Sequence, residues 1–144
     1  MNATKSENPV KTLVILLNMG GPQNKDEVHP YLKELFQDRE ILKLPFQKVL
    51  GRYIAWRRTP NIQERYEEIG QYSPTKGIMD DQSAEIAQKL DQIHPQSAPH
   101  VCVSGFRYCS PRTSEMIEQY NSAEKIILFS QYPQHSCSTS GSSF

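Results

Sequence analysis

The stretch Lys11–Pro22, KTLVILLNMGGP, constrains the chain more than any other. Leu13-Val14-Ile15-Leu16-Leu17 is a continuous apolar run of strand length. A strand that is apolar on both faces belongs at the centre of a parallel sheet, where helices cover both sides. The run stops at Asn18-Met19-Gly20-Gly21-Pro22. Two glycines let the backbone take positive φ or approach another group closely, and proline ends strand pairing. Ligands of open α/β sheets bind at the carboxyl ends of the strands. The stretch therefore predicts a central strand, the functional edge of its sheet, and one sulfur side chain, Met19, at that edge.

The rest of the chain alternates helical and extended patterns. Val28, Tyr31, Leu32, Leu35 and Phe36 fall at helical spacing. A start near Asp26 or Glu27 keeps Pro30 in the first turn, where it is tolerated. Ile41-Leu42-Lys43-Leu44-Pro45 is short, apolar and bounded by charge and proline, either a buried connection or an exposed lip. A second helix is predicted from about Phe46 to Arg58, with Phe46, Val49, Leu50, Tyr53, Ile54 and Arg57 on one face. Thr59-Pro60 then reads as a fresh helix start, with Thr59 as N-cap, a stripe of Ile62, Tyr66 and Ile69, and Gly70 as the stop. A further helix is predicted over Met79–Ile93, with Met79, Ser83, Ile86, Leu90 and Ile93 on one side. Strands follow at Val101–Phe106 and Lys125–Ser130, separated by a helix after Ser110-Pro111 that turns Met116, Ile117 and Tyr120 inward. Strands separated by helices imply crossover connections and so a parallel α/β sheet with helices on both faces. Ser138–Ser143 offers N-cap residues in plenty, as a loop entering a helix does. The helix does not follow, so the chain reads as an α/β unit left half built.

Length and charge narrow the classes of function. The 144 residues suit one domain, divided here into a flexible tail over residues 1–10 and an α/β lobe over residues 11–144. Sixteen basic and sixteen acidic side chains cancel, which argues against a nucleic-acid partner. No apolar run approaches the length of a membrane-spanning helix. Met1–Val10 resembles neither a signal peptide nor an Arg-rich transit peptide. Cys102, Cys109 and Cys137 are odd in number and widely spaced, unlike a disulfide framework, and no CxxC pair marks a zinc site.

Three loops that follow strands carry unusual side chains: Met19; Arg107 with Tyr108; and His135 with Cys137. Arg57-Arg58 and Ser73 follow helical segments and are placed to face the same cleft. Together they describe a pocket with apolar walls and a few cationic or hydroxyl groups at its rim, suited to a large flat ligand with carboxylates. A phosphatase-type loop would need His directly before Cys137 and Arg six residues after it. Ser136 and Ser143 hold those places, so that reading fails. No phosphate-cradling glycine motif occurs. His29, His94 and His100 fall on a helix surface or in connections and are given no role.

LLNMGGP (Leu16–Pro22), RRTPNIQERY (Arg57–Tyr66), GQYSP (Gly70–Pro74), GFRY (Gly105–Tyr108) and QYPQHSCSTSGSS (Gln131–Ser143) occur in this order along nearly the whole chain. They resemble the amino-terminal half of ferrochelatases, which insert ferrous iron, Fe2+, into protoporphyrin IX to make protohaem, the last step of haem biosynthesis. The resemblance implies a chelatase-like lobe, truncated before the second lobe that closes the cleft. It implies porphyrin contacts for Arg58, Tyr66 and Ser73 and a pocket floor of Met19, Arg107 and Tyr108. It also implies a lip of Ile41, Leu42, Leu44 and Phe46 that enters the membrane surface. Cys137 matches the one 2Fe–2S ligand that animal-type relatives hold in this half. The other three ligands, the essential histidine and its acidic partners belong to the half not present. By resemblance, then, this chain alone holds no cluster and binds porphyrin at most, as a non-catalytic porphyrin binder or an inert fragment. Full-length relatives imply the matrix face of the mitochondrial inner membrane and a possible homodimer.

Overall fold

The computed structural model describes residues 10–70 and 72–142, and of Cys137 the backbone only. In chain order the elements are β1 (Thr12–Asn18), α1 (Lys25–Gln37), α2 (Gln47–Glu68), α3 (Thr75–Ile93), a 3-10 turn (Pro95–Ser97), β2 (His100–Phe106), α4 (Thr113–Gln119), β3 (Lys125–Ser130) and a π-helical turn (Cys137–Gly141). The sheet is parallel, in the order β2-β1-β3. Thr12 pairs with His100 and with Lys125, and Asn18 pairs with Phe106. The strands therefore begin together at one edge and end together at the other.

β1 is the centre the sequence predicts. On one face Leu13, Ile15 and Leu17 pack with Val10, Met116 and Tyr120. On the other, Val14 and Leu16 pack with Met79 and Phe106, backed by Ile86 and Leu90 of α3. Each fully buried Leu or Ile contributes about 1.5–3 kcal/mol through apolar burial. Val10, assigned to the tail, is 4% exposed and belongs to this core, so the lobe begins one residue earlier. The remainder of that tail lies outside the described residues.

Other expectations need correction. The strand at Lys125–Ser130 forms as expected, but Phe129 is 54% exposed and its three apolar neighbours are exposed too. β3 is an edge strand, and no helix among the described elements packs broadly across it. Thr59-Pro60 does not start a helix: α2 runs unbroken for 22 residues with Pro60 inside. The ring removes one N–H from the ladder. Thr59 turns its hydroxyl back to the Ala55 carbonyl (2.8 Å) and bonds His29 Nδ1 (3.1 Å), so it ties α2 to α1 instead of capping. α1 begins at Lys25, with the Asn24 side chain capping the Asp26 and Glu27 amides, which leaves Pro30 beyond the first turn. α3 begins at Thr75, four residues ahead of expectation.

The face of α2 is also different. Gly51 and Ala55 are buried, while Phe46, Val49 and Tyr53 are exposed. A Cβ on Gly51 would lie 2.7 Å from the Phe36 carbonyl oxygen. The two helices are thus close enough to require glycine there, and the small residues, not the large ones, make the contact. Ile93 and Ile117 are likewise exposed and not inward. The hydroxylated tail forms one helical turn, in which the Thr139 hydroxyl accepts from the Ser136 amide.

Candidate functional site: the carboxyl edge of the sheet

The loops after β1 and β2 are joined by their backbones. The Arg107 amide donates to the Asn18 carbonyl (3.0 Å) and the Tyr108 amide to that of Met19 (3.2 Å). This extends strand pairing past the end of β2 and puts Met19, Arg107 and Tyr108 on one edge, as predicted. Gly20 has φ +79°, and a Cβ there would lie 2.3 Å from Cys109 Sγ. A Cβ on Gly21 would lie 2.4 Å from Ser73 Oγ. The glycines therefore admit two side chains, Cys109 and Ser73, against the loop backbone. The Ser73 amide also donates to the Pro22 carbonyl (3.0 Å), which fixes Ser73 to the same loop.

Behind this edge stands a hydrogen-bonded set that the sequence did not reveal. Asp38, the C-cap of α1, accepts from the Tyr108 hydroxyl (2.8 Å) and the Ser142 hydroxyl (2.6 Å) through Oδ2, and from the Glu40 amide (2.8 Å) through Oδ1. The Arg107 guanidinium lies 3.4 Å from the same Oδ2 and donates to Ser142 (3.2 Å). Partial burial pulls the Asp38 carboxyl upward, but the bonds from Ser142, Glu40 and Tyr108, with Arg107 nearby, outweigh it and hold the carboxyl below its ordinary range. Tyr108 goes the other way: burial first, then the adjacent carboxylate, push its hydroxyl far above the usual phenol value. A carboxylate saturated with donors and a phenol that keeps its proton cannot exchange protons with a ligand near neutral pH. The edge is built to hold a shape and present Arg107.

Tyr108 is clasped further by Tyr31 of α1, edge-on at 6.1 Å between ring centroids. The Tyr31 hydroxyl donates to the Gly20 carbonyl (3.3 Å). Burial, chiefly, pushes it up to about 12. Two cavities of about 390 and 410 Å³ flank Tyr108. Asp38, Arg39 and Arg107 line the first, and Tyr31, Cys109 and Arg112 the second. Burial raises the Cys109 thiol, so it stays protonated and is no nucleophile.

Other predicted residues are spread around α1. Arg58 is exposed, its guanidinium 5.8 Å from the Phe36 ring centroid. Tyr66 stacks on Tyr72 (5.3 Å) in the cluster around Val28, Leu32 and Ala55. Neither cavity beside Tyr108 is lined by Met19, Arg58, Tyr66 or Ser73. Of the lip, Leu42 and Phe46 are exposed while Ile41 and Leu44 are half-buried, so the segment is part connection and part rim. Phe46 is 84% exposed and holds φ 49°, the left-handed region that a bulky residue seldom occupies. Histidines placed on surfaces also need correction. His100 begins β2 and is buried, bonded to Asp91 and Ser97. Asp38 and Ser142 were missed because they are 104 residues apart, and no local pattern links them.

A 2Fe–2S centre needs four protein ligands. The residues described here do not fit one: no group of three or more His, Cys, Asp or Glu is disposed around a common point among them. Cys102 lies in β2 and Cys109 against Gly20. The Cys137 side chain is outside the described residues.

An open parallel α/β sheet with polar and aromatic groups gathered on the loops at its carboxyl edge has the architecture in which α/β proteins place their ligand sites. Residues 11–144 match the family model for ferrochelatase. Over 136 residues the chain is 46% identical to the mitochondrial ferrochelatase of Drosophila melanogaster, covering 93% of this chain and 35% of that one. Identity is 49% over 135 residues to the Gallus gallus protein and 47% over 135 to the Homo sapiens protein, covering 92% of this chain and 34% and 32% of theirs. The chain belongs to the ferrochelatase family, and it spans about a third of the length of these relatives.

Proposed function

We propose that this chain supplies one wall of a porphyrin cleft whose activity, in a whole ferrochelatase, is insertion of ferrous iron into protoporphyrin IX. Iron is the substrate there, and the product is protohaem. The observation that carries the reading is the joined edge of Met19, Arg107 and Tyr108 in a chain of this family. Met19 is apolar surface for the macrocycle, and the buried Tyr108 ring braces the loop beneath it. Arg107 and Arg58 are forks for the propionates, and Tyr66 and Ser73 complete the rim. Neither Asp38 nor Tyr108 is free to take a pyrrole proton, which suits this edge to binding and orientation.

The same reading places the wall against a membrane surface. Phe46, Val49, Tyr53 and Trp56 are exposed along one side of α2, next to exposed Leu42. Lys48, Arg52 and Arg57, also exposed, flank the stripe with charge suited to lipid headgroups. No helix among the described residues is long and apolar enough to cross a membrane. The relatives named above are mitochondrial proteins, which supports a mitochondrial location; the matrix side of the inner membrane is the finer part of this reading.

Fluorescence titration of the chain with protoporphyrin IX and with its dimethyl ester tests the binding role. One wall covers one face of the disc, so a dissociation constant of roughly tens of micromolar is expected. Arg58→Ala should weaken protoporphyrin about fivefold, as an exposed ion pair of up to about 1 kcal/mol would, and leave the ester unchanged. Equal weakening of both ligands would show that Arg58 reads no carboxylate. A folded chain with no saturable binding would leave the inert-fragment reading.

A further inference from the structure

The opposite edge of the sheet, where the strands begin, carries a second polar set that the porphyrin reading does not use. His100 Nδ1 lies 2.7 Å from Asp91 Oδ1, and His100 Nε2 lies 3.0 Å from Ser97 Oγ. The imidazole side chain is 4% exposed, the Asp91 carboxylate 44%. Asp91 Oδ1 also accepts the His100 amide (2.9 Å), so the carboxylate is held on both the ring and the backbone. The bond from His100 holds the Asp91 carboxyl below its usual range, so it is an anion at neutral pH. An ionised carboxylate only accepts, which puts a proton on Nδ1 and turns Nε2 to the serine hydroxyl, whose proton is shared between Nε2 and the His94 carbonyl 3.1 Å away. A cavity of about 260 Å³ opens beside the pair, lined by Ser97 and His100 with Leu90, His94, Ile127, Thr12 and Lys125.

We propose that Ser97 is an activated nucleophile, with His100 as its general base and Asp91 as the positioning residue, and that its substrates are small esters with an apolar acyl group. Carboxylate, imidazole and hydroxyl stand in the relation that nucleophilic serines require, whatever their order in the chain. In the step, Ser97 Oγ attacks the ester carbonyl carbon while its proton passes to Nε2. The carbon–oxygen bond to the alcohol breaks, and the alcohol leaves with that proton. The acyl group remains on Ser97 until water removes it by the same base. Leu90 and Ile127 suit the acyl chain, and Lys125 is the cation available to the oxyanion. The Ser97 and Ala98 amides donate to the His94 and Pro95 carbonyls, so they form no oxyanion hole. Acylation should therefore far outpace turnover, and the site shows itself by labelling.

An alkyl fluorophosphonate tests this on the whole chain, since phosphorus takes the serine oxygen as fluoride and the proton leave. One adduct by intact mass, located at Ser97 by fragmentation, is expected, and Ser97→Ala should abolish it. His100→Gln should slow labelling about 10²–10⁴-fold, the usual worth of a general base. Asp91→Asn should slow it at least about tenfold by releasing the tautomer, with the circular dichroism spectrum unchanged. That exposed substitution serves if His100→Gln does not fold. No adduct on folded protein, adducts scattered over other serines, or a rate indifferent to both variants would overturn the proposal.

Discussion

The two edges of the sheet carry parallel sets of side chains with opposite chemical characters. At the carboxyl edge, Asp38, Tyr108 and Ser142 form a set in which the middle member is a phenol held protonated. At the other edge, Asp91, His100 and Ser97 form a set in which the middle member is an imidazole whose two ring nitrogens meet a carboxylate and a hydroxyl. The first carboxylate is 8% exposed and bonded on all sides, while the second is open to water on one side. The contrast teaches that a carboxylate, a ring and a hydroxyl in contact do not by themselves define chemistry. The proton inventory of the ring decides whether the set is a brace or a relay.

The largest expected effect concerns how the brace is built. Gly20→Ala places a Cβ against Cys109 Sγ and Phe106 on a backbone of φ +79°. Overpacking and positive φ together should cost about 2–3 kcal/mol, read as a lower urea midpoint with an unchanged slope. A loss under about 0.5 kcal/mol would mean that the two loops are not held together as described.

A smaller effect separates brace from relay. Tyr108→Phe removes one of the donors to Asp38 and should cost about 1.5 kcal/mol near neutral pH. The sign of the pH dependence follows from the depressed Asp38 carboxyl. A group whose folded pKa lies below its unfolded value stabilises above the unfolded pKa, and that stability is lost as pH falls through the folded one. Wild type should thus lose stability below about pH 4, the ordinary aspartate value. Tyr108→Phe should lose less of it over that interval, because its Asp38 is less depressed. Parallel acid unfolding curves for the two proteins would show that Tyr108 does not hold this carboxylate.

How far the sequence carried these conclusions varied with the range of the interaction. β1 was legible because Leu13–Leu17 is apolar without interruption, and its exit loop because Gly-Gly-Pro can mean little else. β3 was legible as a strand but its exposure was not: an apolar run records the environment a strand requires, and Ile126–Phe129 lacks that cover among the described residues. Thr59-Pro60 misled because local N-cap chemistry was overridden by the close packing of α1 on α2. At the site, Met19, Arg107 and Tyr108 were legible as residues that follow strands. Asp38, Ser142 and His100 were not, since their partners are fixed by tertiary contact or, for His100, by the return of the chain from α3 to the sheet.

The central claim is that the carboxyl edge, and not the opposite one, receives the macrocycle. Hydrogen exchange of the backbone amides, with and without saturating protoporphyrin IX, tests it most directly. Slower exchange over Met19–Gly21 and Arg107–Cys109, with Ser97–His100 unchanged, is the outcome the account requires. Saturable binding that protects Ser97–His100 and leaves the Met19 and Arg107 loops unchanged would contradict it.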